Sequence, residues 1–137
     1  MVVILSLFGM ICWGIAPVFA KAALNDIDPV AGLSLRTIFA ASVVSGWVLI
    51  SGNFTSLNKI PASTWWLIGI EALLATLVGD LAYYAALKKG DVSLVTIIMS
   101  SSPLVTIICS ALFLGEHITL SHIIGAGLIL IGKIIIV

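Results

Sequence analysis

Between Asp91 and Gly132 two apolar runs follow each other with only Gly115-Glu116-His117 between them, and each is long enough to cross a bilayer. A hydrocarbon core about 30 Å thick is spanned by about 20 helical residues, and inside it the backbone must satisfy its own polar groups. A chain built from such runs has one solution: helices packed side by side in lipid. Three more runs precede this pair, so the spacing predicts five helices at about 2–24, 29–51, 64–87, 92–114 and 119–137, forming one all-α transmembrane domain over 1–137. The composition agrees, since 61% hydrophobic and 9% charged residues lie outside the range of water-soluble domains. The lipid bilayer is thus the first partner. Six basic residues balance six acidic ones, so no charge excess points to nucleic acid.

Within the first run of that pair Ser100, Ser101 and Ser102 precede Pro103. The proline lacks an N–H and deprives the Met99 carbonyl of its helical donor, a loss that lipid tolerates only if hydroxyls, water or another helix compensate. The segment reads as an opened helix facing a polar cavity; the competing reading is a kinked helix whose serines bond back to their own chain. Helix 1 carries a related pattern: Trp13, Pro17 and Lys21 recur every four residues and share a face. That face either lines a cavity or is a membrane kink with Lys21 reaching the headgroups.

Charges inside spans are costly, about 2.5–3.5 kcal/mol on insertion scales, so each one needs a partner or water. Arg36 lies about 10 Å into helix 2, from where it either snorkels outward or pairs with an acid. Glu71 and Asp80 are the acids of helix 3; nine positions apart, they fall on opposite sides of a regular helix and do not form one paired site. Asp80 shares its side with Thr76, Tyr83 and Tyr84, and either faces a cavity or binds Lys88 or Arg36. Glu71 sits near the belt marked by Trp65 and Trp66 and reads as partly hydrated. Lys21, Arg36 and Glu71 are the candidate charge partners.

The connections follow local rules. Asp28 is placed to cap helix 2, with Pro29 at its first position, Gly90 ends helix 3, and Asp91 starts helix 4. Gly52 to Ser63 is the longest polar connection; its Asn53-Phe54-Thr55 triplet carries no argument. Gly125, Gly127 and Gly132 allow another backbone to approach helix 5, as in a helix-packing face. Cys12 and Cys109 lie in apolar runs and read as small hydrophobes, and His117 and His122 lack the acid or thiol partners of a metal site. No catalytic constellation, cofactor loop or metal motif is present, so neither an enzyme nor a cofactor is expected. Lys21, Lys88, Lys89 and Lys133 lie toward one side and Lys59 toward the other, which puts the amino terminus outside and the carboxyl terminus in the cytoplasm, with insertion in both orientations left open.

Taken in order, Trp13-Gly14, Pro17, Lys21, Asp28-Pro29, Leu35-Arg36, Gly79-Asp80, Tyr84-Ala85-Ala86-Leu87, Pro103, Leu114-Gly115-Glu116, Ile124-Gly125 and Gly132 resemble the EamA-like family of the drug/metabolite transporter superfamily, over essentially the whole chain. The resemblance implies a carrier, often an exporter, of small metabolites such as amino acids, with ten helices in two inverted halves and a cavity lined by the first, third and fourth helix of each half. This chain has one half, which implies a homodimer, antiparallel if the inversion is kept, or pairing with another half. Gly127 to Gly132 is similar to the dimerising last helix of the small multidrug resistance relatives. Their essential glutamate lies in the first helix, where this chain has no acid, so their proton exchange is not carried over. The expected reading is alternating access at a midplane site using Trp13, Pro17, Asp80, Tyr84, Ser100 and Pro103. The rival expectation is a non-transporting membrane interaction subunit, or a half-transporter that needs a different partner chain.

Overall fold

The computed structural model describes residues 1–52 and 59–136. The Asn53-Phe54-Thr55 triplet and the last residue expected of helix 5, Val137, lie outside them. Helix α1 spans Val2–Leu24, running through Pro17, and α2 spans Pro29–Ile50. Helix α3 covers Ala62–Lys89, α4 covers Val92–Leu114, and α5 covers Leu120–Ile136. Among the described residues, α1 to α4 are long and apolar enough to cross a membrane, while α5 is a shorter apolar helix of 17 residues. At 1.5 Å per residue α5 spans about 26 Å, near the lower bound for a crossing. The chain is an all-α, multi-pass membrane protein.

The ends of the helices follow the chemistry of their caps. The Asp28 carboxylate accepts from the Val30 and Ala31 N–H groups at 2.9 and 3.1 Å, and Pro29 follows at the first helical position, where its missing N–H costs nothing. Asp91 holds the equivalent place before α4 without a side-chain cap bond. Gly115, with φ +68°, closes α4 in the left-handed conformation that a side chain would oppose.

Two helices depart from regularity. In α3 the segment Leu73–Gly79 is wound as a π-helix, and the Asp80 N–H donates to the Ala75 carbonyl, five residues back. In α4 the first part, Val92–Met99, stops at Ser100 and Ser101, and Ser102–Cys109 resumes with Pro103 in its first turn before a π-wound end, Ser110–Leu114. The opening expected at Pro103 thus falls just before it, because proline suits the start of a helix and breaks what precedes it.

Two compact units make up the fold, Met1–Lys89 and Gly90–Val137. In the first, the last segment of α3 packs against both α1 and α2. Leu24 and Leu87 are fully buried there, with Leu33 and Tyr84 nearly so. Gly32 lets the three helices close: a Cβ there would stand 3.1 Å from the Leu24 side chain and 3.4 Å from those of Ile27 and Tyr84. Polar links tie the same end. The Lys21 ammonium donates to the carbonyls of Leu87 at 2.5 Å and Lys88 at 3.2 Å, where α3 leaves its acceptors unpaired and its dipole is negative. Lys88 reaches the Ile27 carbonyl at 2.7 Å. In the second unit α5 packs on both parts of α4. Most large apolar side chains elsewhere are exposed, as expected of surfaces that meet lipid or another membrane helix.

Candidate functional site

The first unit holds a half-open cavity of about 250 Å³. Cys12, Trp13, Ala16, Pro17 and Ala20 form its wall on α1, a stripe at positions i, i+1, i+4, i+5 and i+8. The small residues of this stripe leave the volume open, and Trp13, 75% exposed, stands at its edge. Opposite them Arg36 comes from α2, and Asp80, Tyr83 and Tyr84 come from α3. Arg36 and Asp80 form an ion pair through Nη1 and Oδ2. The Arg36 guanidinium also lies 5.9 Å from the centre of the Tyr84 ring, within cation–π range, and Tyr83 and Tyr84 are tilted against each other with centroids 6.4 Å apart. The carboxylate is the more enclosed partner, 18% exposed against 44% for the arginine side chain.

This arrangement answers the choices left open by the sequence. Arg36 pairs with an acid, and Asp80 both lines a cavity and carries a salt bridge. Thr76, four positions before Asp80, lines a separate groove of about 640 Å³ with Leu33, Ser34, Thr37 and Leu73. Glu71 is exposed in the regular part of α3 and lines neither hollow. Lys21 works as a cap for α3 through backbone carbonyls. Of the expected solute-path residues the cavity thus brings together Trp13, Pro17, Asp80 and Tyr84.

Ser100 and Pro103 belong to the second unit. There the hydroxyls mostly satisfy themselves: Ser100 donates to the Ile97 carbonyl at 2.7 Å, Thr96 to Val92 at 2.7 Å, and Thr106 to Ser102 at 3.2 Å. Of the three serines before Pro103, Ser100 thus bonds back to its own chain as in the competing reading. Among the described residues the Ser101 hydroxyl, shielded from solvent, meets no hydrogen-bond partner. A hollow of about 190 Å³ in this unit is lined by Thr106, Ser110, Glu116, His117 and His122. His122 and Thr119 cap the start of α5 reciprocally, Nδ1 accepting the Thr119 N–H at 3.4 Å and the Thr119 hydroxyl accepting the His122 N–H at 3.3 Å. Among the described residues no group of three or more His, Cys, Asp or Glu is placed to hold a metal. A Cβ added at Gly125, Gly127 or Gly132 would meet nothing within 4 Å, so this stripe of α5 is open.

Sequence reasoning missed Cys12, Ala16 and Ala20 as part of the wall. The signal was their four-residue spacing beside Trp13 and Pro17, but none of the three carries chemistry that draws notice. Tyr83 was noted only as a neighbour of Asp80.

An uncharacterized transporter of Sinorhizobium sp is 31% identical over 119 residues, covering 87% of this chain and 84% of its own length. An uncharacterized transporter of Archaeoglobus fulgidus is 28% identical over 134 residues, 98% of this chain but 47% of its own length. The uncharacterized transporter YvbV of Bacillus subtilis is 30% identical over 134 residues, with 41% of its length covered. The chain therefore spans about half of the longer relatives that it matches. No solved structure matches it. The model of the EamA-like transporter family matches residues 1–137, from the first helix through the open stripe of the last, and the chain belongs to that family.

Proposed function

We propose that this chain is a carrier of a small metabolite, working as an exporter in the cell inner membrane, and that the cavity between α1, α2 and the end of α3 holds its solute. The observation that carries this reading is the Arg36–Asp80 pair, set among Trp13, Tyr83 and Tyr84 in a membrane-spanning bundle. Charges at that depth are expensive and are kept where they meet water, a partner or a solute. Trp13, Pro17, Asp80 and Tyr84 would touch the solute, and the aromatic rings would hold its apolar part. Ser100 and Pro103 enter the proposal through the break in α4, which gives that helix two short parts able to move separately during alternating access.

The working form is proposed to be a homodimer, antiparallel if the inverted arrangement is kept, that meets along Gly125, Gly127 and Gly132 of α5. The support is the open space over all three glycines. Lys21, Lys88 and Lys89 at one end of the first unit favour that end in the cytoplasm, with the amino terminus outside. The half-length match favours a second reading, in which the chain serves with a different half or as a non-transporting subunit.

Vesicles reconstituted with the whole chain and loaded with a panel of small amino acids and aromatic amines test the carrier. Efflux of at least one compound, reduced tenfold or more by Asp80→Asn, is the expected result; no efflux of any compound contradicts it. Gly125→Cys/Gly132→Cys, with Cys12→Ser and Cys109→Ser, separates the two assemblies, since the two positions face each other in an antiparallel pair and oxidative crosslinking in native membranes then gives homodimers under the first reading and none under the second.

A further inference from the structure

Resting on the reading of this cavity as the solute site, we propose that the Arg36–Asp80 pair is its charge filter, so that the site takes a solute of zero net charge with an aromatic or apolar body, and that Arg36 is as much a specificity-determining residue as Asp80. The walls of the cavity bring one guanidinium and one carboxylate, already bonded to each other. The remainder is apolar or aromatic, with Ala16, Pro17 and Ala20 on one side and Trp13 and the two tyrosines around it. A lone cation entering this space competes with Arg36 for Asp80 and is repelled by the guanidinium. A lone anion meets the mirror situation. Neither ion recovers in full the hydration it gives up, since a desolvated charge is repaid only by an opposite charge held in good geometry, and both charges of the wall are already paired. An uncharged ring loses little on entering and gains packing against Trp13, Tyr83 and Tyr84.

The pair leaves the wall of the cavity without net charge. Arg36 has a second contact, the face of Tyr84 at 5.9 Å, while Asp80 is the less exposed partner. Removing the guanidinium leaves a carboxylate as the sole formal charge of the wall, and the site should then prefer cations. Removing the carboxylate leaves the guanidinium, and the preference should reverse. Removing both restores a neutral wall.

Cys12 lines the same cavity and reports its occupancy. The experiment uses the full chain with Cys109→Ser, solubilised in detergent at pH 8, and follows alkylation of Cys12 by N-ethylmaleimide with mass spectrometry. The probes are benzamide, benzylamine and benzoate, equal in size and differing in charge. Benzamide should protect Cys12 at about a tenth of the concentration needed for either ion. In Arg36→Gln the concentration of benzylamine for half-protection should fall about tenfold and that of benzoate should rise; Asp80→Asn should show the opposite. The double variant Arg36→Gln/Asp80→Asn buries no unpaired charge and keeps the test standing if a single variant fails to fold: it should retain the preference for benzamide and discriminate between the two ions by less than twofold. An unchanged order of the three probes in either single variant, or a double variant that favours one ion, overturns the charge filter and leaves the solute site in place. Failure of all three probes to protect Cys12 in the parent chain and in every variant overturns the solute site, and the filter with it.

Discussion

Gly32 shows how much of this fold rests on single atoms. Its hydrogen sits where a methyl group would lie 3.1 Å from Leu24 and 3.4 Å from Ile27 and Tyr84. Leu24 and Leu87 close the same cluster with almost no exposed surface. In lipid the burial of apolar area gives little net driving force, so stability comes from close packing and hydrogen bonds, and a small residue at a three-helix contact has unusual weight. Gly32→Ala should be absorbed by a shift of the Leu24 side chain at a cost below about 1 kcal/mol, whereas Gly32→Ile should cost about 1–3 kcal/mol by overpacking. Thermal unfolding in detergent checks this: a large drop in melting temperature for isoleucine with little change for alanine is expected, and equal melting temperatures would contradict the packing. At the scale of residues the sequence was legible where chemistry is local. Asp28 and Pro29 announce the start of α2, and their bonds are formed as read. Arg36 was undecided between snorkelling and pairing because its partner lies 44 positions away, a distance that one sequence does not encode.

The elements divide in the same way. Their existence follows from apolar runs and caps, and the bounds agree to within a few residues. The irregular windings were not readable. Nothing in Leu73-Leu74-Ala75-Thr76-Leu77-Val78-Gly79 distinguishes a π-wound stretch from an ordinary one. Helix α4 was readable in part: the serines and the proline predict a break, and physics puts it before the proline rather than at it. The end of α3 carries a prediction. Lys21 supplies charged donors to the Leu87 and Lys88 carbonyls, and hydrogen bonds to charged groups contribute about 1.5–3 kcal/mol. Lys21→Met keeps the apolar stem and removes the donors. Amide hydrogen exchange in the last turn of α3 should rise at least tenfold while exchange in α5 is unchanged; an unaltered last turn would mean that the ammonium is not its cap.

For the whole molecule the central claim is that the cavity of the first unit is a passage for solute and therefore meets water. Packed helices in lipid also leave hollows filled by acyl chains, and the two kinds differ in whether a water-borne reagent reaches their walls. Cys12 tells them apart because it lies in the wall beside Trp13 and Pro17. The most direct measurement is the labelling of Cys12, with Cys109→Ser, in sealed membranes by a zwitterionic maleimide that cannot cross them, compared with one that partitions into lipid. Labelling by the zwitterionic reagent, slowed when Trp13 is shielded by an aromatic solute, is expected. Labelling by the lipid-soluble reagent alone would contradict a water-filled passage.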